Sequence, residues 1–136
     1  MGCLFLLFSY YSNAQSDEFE IKIQDTLYFN KCNQEAYQFI DFYQKTRFEE
    51  NDTMDLSQTY DWSFYNDFFN TGDFDVSRLP CSMAGRYGII KHIMQITNDN
   101  INYQTVVIAM VDHNISAVYI TEEAFLNDEL IYAPKQ

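Results

Sequence analysis

Basic side chains are scarce in this chain. It holds 8 Lys and Arg against 20 Asp and Glu, a formal net charge of −12 at pH 7. That balance repels phosphate backbones, so nucleic acid is excluded as an expected partner. It also disfavours docking on an anionic membrane surface. Proline occurs 2 times and glycine 4. No Pro-rich linker is present, and Gly85 and Gly88 lack the Lys-Ser/Thr ending of a phosphate-cradling loop. No apolar run approaches the ~20 residues that cross a bilayer as a helix. With 2 His and 3 Cys, zinc-ligand spacing is absent, and no metal or cofactor is expected.

What is present begins with a short apolar run. Leu4 to Tyr11 is followed by Ser12-Asn13-Ala14-Gln15. An apolar stretch ending in small residues resembles a bacterial-type export signal cut after Ala14. It carries no Lys or Arg ahead of the run, where such signals ordinarily have one. The expectation is a cleaved signal peptide over 1–14 and one globular domain over 15–136, exported to the periplasm, envelope or medium. No lipid anchor is expected. Leu6 stands where myristoylation needs Ser or Thr, and Cys3 precedes the apolar run rather than following it.

Cleavage would leave Cys32 and Cys81. An even pair in an oxidising compartment predicts a disulfide. Closing a loop of about 50 residues stabilises by roughly 4 kcal/mol on chain-entropy reasoning.

Aromatic residues make up 18% of the chain, enough to build a core without a metal staple. Asn33 is a plausible cap. Ala36, Tyr37, Ile40, Tyr43, Arg47 and Phe48 follow at helical spacing, which predicts a helix over 34–49. Tyr60, Phe64, Tyr65, Phe68 and Phe69 form a second helical stripe after Ser57, stopped near Gly72. Residues 73–88, with Pro80, Cys81 and two glycines, read as a loop.

Strands are expected elsewhere. Phe19 to Ile23 alternates apolar and charged, and Leu27-Tyr28-Phe29 continues it. Residues 87–96, 103–112 and 115–121 are β-rich runs separated by Asn and Asp, the pattern of antiparallel hairpins. Val106 to Val111 is apolar on both faces, as in a strand covered on both sides. Glu122 and Glu123 open a short helix, and Leu130-Ile131-Tyr132 supplies a closing strand. The predicted fold is α+β: two N-terminal helices packed on an antiparallel β-meander of three to five strands.

Three groups of residues bear on chemistry. Cys81 with His92 or His113, and Asp112 beside His113, has the composition of a thiol nucleophile with an oriented imidazole. No known motif surrounds Cys81, and the disulfide competes for it. The acids Asp61, Asp67, Asp73 and Asp75 fail as a calcium loop. With Gly72 at position six and Asp67 first, Phe69 and Arg78 fall where carboxylates belong. The segment Tyr60-Asp61-Trp62 with Asp67 pairs aromatic faces with carboxylates, a combination suited to a protein hot spot or a sugar. Trp62 lies off the apolar stripe, so it is expected at the surface.

The resulting expectation is a small acidic protein that acts by binding, of inhibitor or immunity type, rather than an enzyme. Its partner is expected to be a protein, and a basic one. A sugar- or peptide-binding module using Tyr60, Trp62 and Tyr65 is one alternative. An exported hydrolase using a Cys-His or carboxylate pair is the other.

Overall fold

A computed structural model describes residues 21–47, 56–70, 72–97, 103–111 and 116–133. Residues 1–14, read above as an export signal, and Asp112 and His113 lie outside the described residues.

Among the described residues, seven strands form one sheet. In chain order they are β1 (Thr26–Phe29), β2 (Ala36–Arg47), β3 (Asp73–Pro80), β4 (Tyr87–Thr97), β5 (Tyr103–Val111), β6 (Ser116–Thr121) and β7 (Leu130–Ala133). The spatial order is β3-β2-β6-β5-β4-β1-β7, and every neighbouring pair is antiparallel. Two short α-helices among the described residues accompany the sheet, α1 (Trp62–Phe69) and α2 (Glu122–Leu126).

The prediction of two N-terminal helices on a smaller meander is therefore corrected. Residues 36–47 form the long strand β2, not a helix. Their aromatics suit a pleated surface, and β2 is covered on both faces. Ile40 and Phe42 join one core, while Tyr43 packs into the other. A strand with two apolar faces loses its period of two, and Tyr37, Ile40 and Tyr43 then mimic helical spacing. The second predicted helix is present, as the eight residues of α1. The expected loop at 73–88 contains the edge strand β3, whose terminal Pro80 needs no ladder donor there. Ile21 to Ile23 lies outside any strand, whereas Leu27 to Phe29 forms most of β1.

β5 organises the interior. Val107, Ala109 and Val111 point to one face, where they meet Leu27, Phe29, Ile40, Ile120 and Ala124 of α2. Ile108 and Met110 point to the other, beneath Phe64 and Phe68 of α1. The stacked Phe64 and Phe68 rings lie 5.5 Å apart and are fully buried. Burying each such side chain contributes roughly 1.5–3 kcal/mol, which holds an otherwise short helix in place.

Carboxylates stitch the sheet where strand pairing lapses. Before Ile40, β2 has no partner residue on β6. Glu129, just ahead of β7, accepts the N–H groups of Gln38 and Phe39 at 2.8 and 3.0 Å. Replacing Glu129 with Ala leaves both donors without that acceptor. The expected loss is about 1–3 kcal/mol, read as a lower urea midpoint; an unchanged midpoint contradicts the role.

Asp25, almost fully buried, takes a hydrogen bond from the Tyr132 hydroxyl and one from the Lys22 N–H. Burial first, then the bond to Asp25 and its charge, push the Tyr132 phenol up to about 12. The folded state thus holds this proton more tightly than the unfolded chain, whose Tyr titrates near ~10. Its contribution is complete below about pH 10 and is lost as pH rises through about 12. Urea midpoints taken from pH 8 upward should fall across that window. The fall should be shallower in Tyr132→Phe, and an identical fall removes Tyr132 from the account.

Candidate functional site

The site forms where α1 begins over β4. Strand β4 carries an irregularity between Ile90 and His92, after which His92 stands opposite Ile108. Because Ile108 belongs to the core beneath α1, His92 points to the same face. It is fully buried there.

Asp61 precedes α1 and has φ 61° and ψ −137°, a backbone conformation that costs a non-glycine residue roughly 1–3 kcal/mol. Its N–H donates to the Lys91 carbonyl, and its own carbonyl accepts from Tyr65 N–H at 3.0 Å. An aspartate at a helix start ordinarily turns its carboxylate onto the first-turn N–H groups. This one makes no such bond. Oδ1 instead lies 3.1 Å from His92 Nδ1. With Asp61 ionised, Nδ1–H donates to it, which fixes the neutral imidazole as the tautomer with a lone pair on Nε2. No described residue gives Nε2 a hydrogen bond.

Two aromatic rings enclose the imidazole. Trp62 stands 4.6 Å from it at 63°, and Tyr65 stands 5.0 Å away at 47°. Trp62 and Tyr65 also meet edge to face at 5.7 Å. Trp62 is nevertheless 59% exposed, and Tyr60 beside it is 48% exposed. The outcome is a large indole kept out of the core, braced from behind by Tyr65 and His92, with a half-exposed carboxylate at its side.

The sequence candidates divide accordingly. Tyr60, Asp61 and Trp62 share one exposed surface. Asp67 is half-buried and lies five residues beyond Trp62, about 140° around the helix. Cys81 sits in a 3₁₀ turn over Cys81–Met83. It is paired with Cys32 at disulfide distance, with Cα atoms 5.5 Å apart, inside the range that disulfides adopt. Its sulfur therefore faces Cys32, while His92 faces Asp61. Among the described residues no group of three His, Cys, Asp or Glu is arranged to hold a metal. None of their helices is long and apolar enough to cross a membrane.

Sequence reading alone did not find the brace. The helical stripe places Tyr65 in the core, the sugar or peptide alternative places it beside Tyr60 and Trp62, and His92 is paired with a thiol; in the structure Tyr65 and His92 both support Trp62. A second exposed group also went unseen. Tyr87, Tyr28 and Ile131 stand side by side across β4, β1 and β7 and are 56, 40 and 52% exposed. The two tyrosine rings lie 5.9 Å apart.

No protein-family model, curated protein or solved structure matches this chain.

Proposed function

We propose that this protein acts by binding rather than by catalysis, as an exported interaction module whose contact surface is Tyr60, Asp61 and Trp62. The observation that carries the reading is Trp62, highly exposed yet fixed by Tyr65 and His92. An immobilised aromatic loses little entropy on binding, and buried Trp and Tyr dominate interface energetics. Support for export comes from Cys32 and Cys81 at disulfide distance, an arrangement that persists in oxidising compartments.

A basic partner is favoured by charge. At −12, the chain attracts a cationic protein over long range and accelerates its approach. The test uses the protein immobilised and exposed to the exported fraction of its producing cells. A basic protein should be retained at low salt and released as ionic strength rises. A retained partner that is neutral and indifferent to salt contradicts the electrostatic part of the proposal.

A sugar ligand is the second reading. It is favoured by the exposed Trp62 beside the half-exposed Asp61 carboxylate. Trp62 is the only tryptophan of the chain, so its fluorescence reports directly. Saturable changes with a glycan from a panel support this reading, and none across the panel removes it.

The Cys81–His92 form of the hydrolase alternative loses support from the same geometry. A general base must reach the proton it abstracts, and His92 is fully enclosed.

A further inference from the structure

We propose that His92 makes the Trp62 surface sensitive to pH, holding it assembled when the imidazole is neutral and releasing it when the imidazole is protonated. The argument starts from the two ring nitrogens. Nδ1 already donates to Asp61 at 3.1 Å, and that bond serves either charge state. Nε2 is different. In the neutral ring it is an acceptor without a partner, a modest cost. In the imidazolium it becomes a charged N–H donor, fully buried, for which the described residues supply no acceptor. An unsatisfied buried donor is costly, and a charged one more so.

Neighbouring groups offer little relief. From α1 the ring meets the Asp61 carboxylate, the Tyr65 ring and the Trp62 indole. On its own strand it follows Lys91, buried and of the same charge sign. From β5 it faces the aliphatic Ile108. Asp61 pairs with the cation but is half-exposed, so solvent screens the attraction. The element able to yield is the start of α1. Its first residue, Trp62, forms the lid over the ring, and its entry at Asp61 is already strained. Protonation is therefore relieved by the imidazole turning outward and displacing Trp62, with the helix held further along by Phe64 and Phe68. Imidazole is the side chain that ordinarily changes charge between about pH 5 and 8.

The device acts on the contact surface proposed above, but its test needs no partner, so the two readings stand or fall separately. The full chain is titrated from pH 8 to 5 while Trp62 emission and acrylamide quenching are followed. The expected result is one transition, with Trp62 more accessible at low pH. The transition should be lost in His92→Gln and kept in His113→Gln, the only other histidine. A flat Trp62 signal in the wild type, or a transition that survives in His92→Gln, overturns the proposal. Should His92→Gln not fold, NMR of the wild type decides: a shared midpoint for the His92 ring and Trp62 indole signals supports it, and different midpoints overturn it.

Discussion

Breaking the Cys32–Cys81 pair is expected to lower stability by about 4 kcal/mol on chain-entropy reasoning. The pair spans 49 positions of sequence, and releasing so long a loop restores much freedom to the unfolded chain. The structure also shows what the tie fixes. Cys32 lies between β1 and β2, near opposite ends of the strand order, and Cys81 follows β3 at the sheet edge. The Cys81 N–H donates to Glu35 at 3.0 Å, and the turn that follows returns to Phe29 through the Gly85 N–H at 2.8 Å. Cys32→Ser with Cys81→Ser should therefore unfold at markedly lower urea. Native gels with and without reductant should show the same difference for the wild type. Equal midpoints for the double variant and the unreduced wild type would show that the sulfurs are not bonded in the native protein.

Trp62→Ala is expected to leave the fold near its original stability and to weaken partner binding by about 2–4 kcal/mol, some 30- to 1,000-fold. The separation of the two effects follows from position. Trp62 is 59% exposed, so its removal opens little core, whereas Phe64 and Phe68 carry the attachment of α1. Phe68→Ala makes the contrast. Emptying a fully buried site beneath α1 costs about 3–5 kcal/mol, and binding and stability should fall together. A Trp62→Ala protein that binds its partner as the wild type does would place the contact surface elsewhere. The row Tyr87, Tyr28 and Ile131 would be the next surface to change.

Sequence pattern alone reached part of this architecture for identifiable reasons. The run Val106 to Val111 is apolar at successive positions, and a strand buried on both faces is what such a run requires. β4, β5 and β6 are neighbours in both sequence and space, so their Asn- and Asp-rich separations carried the pairing. The pattern of β2 reads as a helix because its two apolar faces erase the alternation that marks a half-exposed strand. β3 reads as a loop because an edge strand tolerates Asp73, Asp75 and Pro80, residues otherwise typical of loops. The place of β1 between β4 and β7 had no local signal, since it depends on contacts across most of the chain. The same limit applied to the site. Trp62 stood out by falling off the helical stripe. The Asp61–His92 contact joins positions 31 apart, and only the bend of β4 beneath α1 brings them together.

The central claim is that Trp62 is a contact residue, and oxidative footprinting tests it most directly. The protein is exposed to hydroxyl radicals alone and again with the exported fraction of its producing cells, and side-chain oxidation is read by mass spectrometry. Tyr103, 67% exposed at the start of β5, serves as an internal reference. The account predicts that Trp62 and Tyr60 become protected while Tyr103 reacts as before. Trp62 oxidised equally in both samples, with protection appearing on another surface, would contradict it.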